Sequence, residues 1–548
     1  MGISIFNSLK NHLKKFLLLV FSITVTTASA EAAGTILFLP QDNRPVSYQQ
    51  TIEVAEYAGF KLIYPKENIL SRGPDTPGNA DALLKFTEAN IKGADAAVIA
   101  TDALLYGGLI PSRKHEISAE KLRERVKRIK KIAEDNPHTK IYLFASLMRT
   151  PKDGESAGVE EPSYYLQKGP TGFEIGADIF RYTALCDKEE IEGLTDEEKA
   201  EKDAIIGRLP QPVWQDWMER RNKNFNATLS LLELTKKGRV EALVVGRDDN
   251  APLSQTHLEN RKLIKKANEL NLPQNKFVSM AGIDEFNLLL LARAANELNR
   301  KVPSVYVEYA KGKGGATIPA FSDVPISESI MKEITIAGGV VVDRPNNADV
   351  VLMVNTDYEG RTGAANDWNP KYTDFPNDGF EREGATEFFD RVKSYANSGY
   401  PVAIADIAFA NGADYYLMRN LSDNKMFYKI KAYAGWNTPT NSAGYAIAEA
   451  MFAKYTPEDK KNKILLRRYL DDWVYQTVVR TRIYGLLYHR GEPERYLHLD
   501  DAKTRIEEEA TDLMWKFAKK ELPHENALDN FVVTLPWNRM FECKIEFY

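Results

Sequence analysis

Short apolar runs without polar alternation recur along the first part of the chain. They are TILFLP (Thr35–Pro40), KLIYP (Lys61–Pro65), AAVIAT (Ala96–Thr101), KIYLFAS (Lys140–Ser146), ALVVG (Ala242–Gly246), KFVSMAG (Lys276–Gly282) and SVYVEY (Ser304–Tyr309). Between most of them the apolar residues return with helical spacing, as in AEKLRERVKRIKKIAEDN (Ala119–Asn136) and EFNLLLLARAANELNR (Glu285–Arg300). Strands apolar on both faces, each followed by an amphipathic helix, predict a parallel sheet covered by helices on both sides. Seven such units over residues 31–310 predict an α/β domain, either a (β/α) barrel or a doubly wound open sheet.

The rhythm breaks over about 152–238, where charged, helix-patterned sequence such as TDEEKAEKDAI predicts a helical insertion after the fourth strand. Set at a strand's carboxyl end, it is a candidate lid. KGKGGAT (Lys311–Thr317) reads as a hinge into a second, smaller α/β domain, Rossmann-like, over residues 311–456. Its strands are VVVD (Val340–Asp343), DVVLMVN (Asp349–Asn355), PVAIAD (Pro401–Asp406) and IKAYAG (Ile430–Gly435). Residues 457–548 read as mainly helical, with Ile464–Tyr488 as one long helix.

A chain of 548 residues exceeds one ordinary core, and 43% apolar with 27% charged residues is a globular composition. The net charge of -5 gives no electrostatic ground for a nucleic-acid partner. The segment KNHLKKFLLLVFSITVTTASA has a basic start, an apolar middle too short to span a bilayer, and a small-x-small site at Ala28-Ser29-Ala30. It predicts a signal peptide over 1–30, export to the cell envelope or medium, and no membrane association after cleavage. Cys186 and Cys543 could form one disulfide, but two unused thiols is the simpler reading.

Most of the apolar runs end in charge. The first is followed by Asp42, Asn43 and Arg44; the third by Asp102, Tyr106, Ser112 and Arg113; the fourth by Arg149. The fifth is followed by Arg247, Asp248, Asp249 and Asn250, the sixth by Asp284 and Glu285, the seventh by Glu308. In the second domain ADIAFANGAD carries Asp406, Asn411 and Asp414, and GWNTPTN carries Trp436, Asn437, Thr438 and Asn441. Ligands of parallel α/β folds bind where strands end. A single Asp or Asn there can be a helix cap, but a series in register points to a site.

The residue types suit a polar substrate. Paired carboxyls, Asp248 or Asp249 with Asp284 or Glu285, can act as general acid and base or nucleophile on a glycosidic bond. Asp42, Arg44, Asp102, Tyr106, Arg149, Arg247, Asn250, Asp406, Asn411, Asn437, Thr438 and Asn441 are the candidate substrate contacts. Trp436 either stacks on a sugar face or belongs to the core, and Thr438 or Asn441 either contacts ligand or caps a helix.

No cofactor is predicted, and no residue is singled out as a metal ligand. The carboxylates could nonetheless hold a divalent cation, which would make the chain a metal-dependent enzyme such as a sugar isomerase or amide hydrolase. A third alternative is a non-catalytic exported solute-binding protein closing about the Gly-rich hinge. The sequence carries no GxSxG, HExxH, P-loop or CxxC pattern, and of seven His only His115 and His257 stand near strand ends, where both read as surface or capping residues.

The motifs LPQDNRPVSY, TDALLYGGLIPSR, GRDDNAPLS, GIDE, ADIAFANGAD and YAGWNTPTNSAG together resemble the bacterial domain-of-unknown-function 4127 family. The resemblance runs in order along nearly all of the mature chain and implies that these motifs work as a set. It carries no catalytic assignment. PQDNRP departs from a more usual PLDDRP pattern, so that Asn43 stands where a second acidic residue is expected and Asp42 is the better candidate.

Overall fold

The computed structural model describes residues 33–154, 158–248, 251–366, 377–522 and 530–548. The signal-peptide segment and two site candidates, Asp249 and Asn250, lie outside the described residues.

The chain is α/β. Strands β1 (Thr35–Leu39), β2 (Lys61–Ile63), β3 (Ala96–Ala100), β4 (Lys140–Leu147), β5 (Ala242–Arg247) and β6 (Phe277–Ala281) form one parallel sheet in the order β2-β1-β3-β4-β5-β6. In this order β2 and β6 stand at the two ends. β3 and β5 are buried along their whole length, as expected of strands covered on both faces.

The seventh apolar run departs from the expectation. β7 (Ser304–Tyr309) joins a second parallel sheet with β8 (Val340–Val342), β9 (Val350–Asn355), β11 (Val402–Asp406) and β13 (Ala432–Ala434), in the order β13-β11-β9-β7-β8. The two-residue strands β10 (Gly363–Ala364) and β12 (Phe409–Ala410) pair with each other. KGKGGAT therefore follows the first strand of the second sheet.

The physical reason lies in the helix Phe286–Leu298, between β6 and β7. Every residue from Phe286 to Asn296 is buried. The helix packs on β3 and β4 on one side and on the helices Ile326–Ile336 and Pro439–Ala453 on the other. Those two helices in turn cover the second sheet. A helix apolar all round is a core element, and here it joins both sheets into one continuous core that includes Leu37, Val98, Val305 and Ala405.

The insertion after β4 is helical, with helices Ile175–Ile191, Asp196–Arg208 and Gln211–Lys236 around a small core of Tyr165, Ile179, Ile205 and Trp217. The long C-terminal helix is present as Glu458–Arg468 and Arg480–His489, joined by a π-helical stretch, Tyr469–Val479. The C-terminal region is not helical to its end: β14 (Phe531–Thr534) and β15 (Lys544–Phe547) form an antiparallel pair, and the turn between them carries Arg539.

Candidate functional site

The chain leaves β1 for β2 on one side and returns to β3 on the other, which makes the carboxyl end of β1 a topological switch point. The ends of β5, β6 and, from the second sheet, β13 converge on the same place. A cavity of about 270 Å3 opens there, lined by Arg44, Arg113, Arg149, Glu160, Asp248, Asp284, Asn411, Asn437, Thr438, Asn441 and Arg539 among others. Its volume lies near the lower end of the ~300–1,000 Å3 usual for small-molecule sites.

Arg44 organises the floor. Its Nε donates to Asp42 at 3.0 Å, while Nη2 and Nη1 donate to the two oxygens of Asp284 at 2.6 and 3.2 Å. The backbone N–H of Arg44 also donates to Asp42, at 3.0 Å, in the turn that ends β1. Asp284 further accepts from Asn437 Nδ2 at 3.2 Å and from the Gln41 side-chain amide. Two buried carboxyls thus share one guanidinium. Burial, with Asp42 and Asp248 adding to it and Arg44 opposing, holds the Asp284 carboxyl above its ordinary range.

The opposite wall is a lattice of ion pairs. Arg113 donates to Asp248 and, at 2.7 Å, to Glu160. Arg149 Nε donates to Glu161 at 2.8 Å, and Arg539 pairs with Glu542 and Glu160. Behind this wall Asp102 accepts from the Ser146 N–H at 3.1 Å and from its hydroxyl. Burial pushes the Asp102 carboxyl up to about 7 against the Ser146 hydrogen bonds, with the Asp248 charge adding to the rise.

The amide-bearing side comes from the second sheet. The Asn411 N–H donates to the Asn437 carbonyl at 2.8 Å, and Asn441 Oδ1 accepts from the Ile283 N–H at 3.5 Å. The helix Pro439–Ala453 begins at this point, and Thr438 supplies no side-chain cap. Both loops are anchored by the π-helical stretch: Gly435 N–H donates to Asp472 Oδ2 at 2.8 Å, and Ala413 N–H donates to the Asp472 carbonyl at 2.9 Å. π-helical turns recur at functional sites, and this one joins the loops that carry Asn411 and Asn437.

Of the predicted residues, Arg44, Arg149, Asp248, Asp284, Asn411, Asn437, Thr438 and Asn441 line the cavity. Asp42 and Asp102 stand behind it, each bonded to a neighbour of the cavity wall or floor.

The others have different surroundings. Glu285 is fully buried against Gly444 of the helix Pro439–Ala453. Tyr106 stacks on His115 at 4.9 Å and lines a separate cavity. Arg247 pairs with Asp323 at 2.6 Å. Asp406 accepts from Asn355 and Tyr433 in a network shared with Asp414. Trp436, 2% exposed, packs 5.6 Å from Phe541, so of its two readings the core position describes it. Glu308, at the end of β7, bonds Tyr306 and Tyr395 away from the cavity.

Gln41, Glu160, Glu161, Arg539 and Glu542 were not among the expected site residues. Glu160 and Glu161 lie in the charged insertion and Arg539 near the C-terminus, where no strand end marks them. Both His side chains are hydrogen-bonded, His115 Nε2 to Asn224 at 2.8 Å and His257 Nδ1 to Asp187 at 2.7 Å. Cys186 and Cys543 are free thiols. Among the described residues no three His, Cys, Asp or Glu side chains are grouped to hold a metal ion, and no helix is long and apolar enough to cross a membrane.

Residues 36–546 match the model of a protein family of unknown function, DUF4127. No curated protein and no solved structure matches the chain.

Proposed function

The chain belongs to the DUF4127 family, and we propose from the geometry of its cavity that it is an exported hydrolase acting on a carbohydrate, with Asp284 as general acid and Asp248 as the partner carboxylate. The observation that carries this is the delivery of two carboxyls, from the ends of adjacent parallel strands β5 and β6, into one small polar cavity. Their surroundings differ in the sense that acid–base chemistry needs. Asp284 shares Arg44 with the buried Asp42, and burial together with the neighbouring Asp42 holds its carboxyl above the ordinary range. Asp248 is ion-paired with Arg113.

In this mechanism Asp284 gives its proton to the leaving oxygen while Asp248 faces the positive charge that develops on the sugar, as nucleophile or as base toward water. Asn411, Asn437, Thr438 and Asn441 supply the donors and acceptors that match sugar hydroxyls.

The test uses aryl glycosides graded in leaving-group acidity, with Asp284→Asn and Asp248→Asn. An acid variant keeps turnover on a dinitrophenyl glycoside and loses it on an alkyl glycoside, because only the poor leaving group needs the proton. The Asp248→Asn protein loses both. Equal losses on the two substrates in Asp284→Asn would remove the acid assignment. Saturable sugar binding by the native protein without any product would overturn the hydrolase itself.

A further inference from the structure

Three arginines from distant parts of the chain meet on one carboxylate. Arg113 Nη1 donates to Glu160 Oε2 at 2.7 Å, Arg539 Nη1 donates to Glu160 Oε1 at 2.7 Å, and Arg149 Nη2 lies 3.4 Å from Glu160 Oε2. All four residues line the cavity. The arginine side chains are 3%, 6% and 7% exposed, whereas that of Glu160 is 19% exposed. The cations form the wall, and the carboxylate lies on its solvent side.

The remaining partners make Glu160 the exchangeable member. Without it Arg113 still pairs with Asp248, Arg149 with Glu161, and Arg539 with Glu542. Glu160 is the anion that all three share beyond these pairs. A guanidinium presents fixed forked donors to a planar or tetrahedral oxyanion, and three of them around one point make a cradle for such a group. Glu160 itself sits in a three-residue turn, Gly158–Glu160, at the start of the inserted segment.

We propose that Arg113, Arg149 and Arg539 form an oxyanion subsite, that the substrate of this cavity carries a carboxylate or phosphate group, and that Glu160 occupies the subsite as an internal stand-in displaced when substrate binds. This deepens the carbohydrate reading and rests on it for the sugar, but not for the anion. Glu160 is thus a gatekeeper of affinity: it keeps the arginines paired in the empty protein and competes with anionic ligands.

The test is calorimetric titration of the full chain and its Glu160→Gln variant with D-glucuronate, D-glucose and inorganic phosphate. Removing the competing charge is expected to tighten glucuronate or phosphate by about tenfold or more, while D-glucose is unchanged. A gain for glucuronate alone identifies a sugar carboxylate; a gain for phosphate alone identifies a phosphorylated substrate. Adding Arg539→Met to Glu160→Gln is expected to cancel the gain.

Equal anion affinity in the native and Glu160→Gln proteins overturns the subsite and makes Glu160 a structural tie, as does an equal gain for neutral D-glucose. Melting curves establish that the Gln variant is folded, and Glu160→Ala serves as the second variant if it is not. The two proposals fail separately. A phosphate gain in a protein that cleaves no glycoside keeps the subsite and removes the carbohydrate assignment. Cleavage of neutral glycosides with no anion gain does the reverse.

Discussion

Asp102 couples this fold to pH. Its carboxyl is buried, accepts two hydrogen bonds from Ser146, and is pushed from the ordinary 3.8 to about 7, chiefly by burial. Below pH 3.8 the group is protonated in both the folded and unfolded chain. As pH rises, the unfolded chain releases the proton first, while the fold retains it until about 7. The stability it contributes is therefore full at low pH, falls through that window and is gone above it. At about 1.4 kcal/mol per pH unit the window amounts to about 4 kcal/mol.

Asp102→Asn keeps the acceptor toward Ser146 and abolishes the titration. The new amide N–H, if unpaired, costs about 1–3 kcal/mol, but that cost does not vary with pH. Urea unfolding of both proteins at intervals from pH 4 to pH 8 measures the difference. The native protein should lose about 4 kcal/mol relative to the variant across this range. Parallel stability curves would refute the reasoning, since they would mean that Asp102 ionises alike in the folded and unfolded chain.

Two further substitutions probe the packing around the site. Arg44→Met strands Asp42 and Asp284 as an uncompensated buried carboxyl pair, and should cost about 3–5 kcal/mol by urea unfolding at neutral pH, with a smaller loss at acid pH where Asp284, held above its ordinary range, takes up a proton. Arg44→Lys should recover only part, because an ammonium cannot bridge both carboxyls as the fork does. Gly444→Ala places a methyl 2.6 Å from Glu285 Cγ, and the overpacking should destabilise by about 1–3 kcal/mol despite a gain of up to ~1 kcal/mol in helix propensity. A Gly444→Ala protein as stable as the native one would show that the Pro439–Ala453 helix shifts freely on its neighbour.

Local pattern was enough to place the strands of the two parallel sheets and most helices of this protein. An apolar run such as AAVIA, bounded by polar residues and followed by a helix, has few alternatives to a buried parallel strand, and TILFL, KIYLFASL and ALVVGR became strands on the same grounds. The polar residues after those runs also marked the place of the cavity, because parallel strands align their carboxyl ends whatever their order. That is why Arg44, Asp248, Asp284 and Asn437 were legible as a group.

Tertiary structure decided which sheet each strand joins and which charges meet. The side-chain pattern of β7 says that it is a strand, but its partner was set by the burial of the helix Phe286–Leu298 between two layers. The same packing turned Glu285, one residue from Asp284, away from the cavity and against Gly444. Arg539 and Glu160 lie 379 positions apart in sequence, and only the return of the C-terminal segment to the first sheet brings them to 2.7 Å. Short-range pattern determines conformation, because sterics and solvation act residue by residue. The pairing of remote charges depends on how whole layers dock, and no local pattern records it.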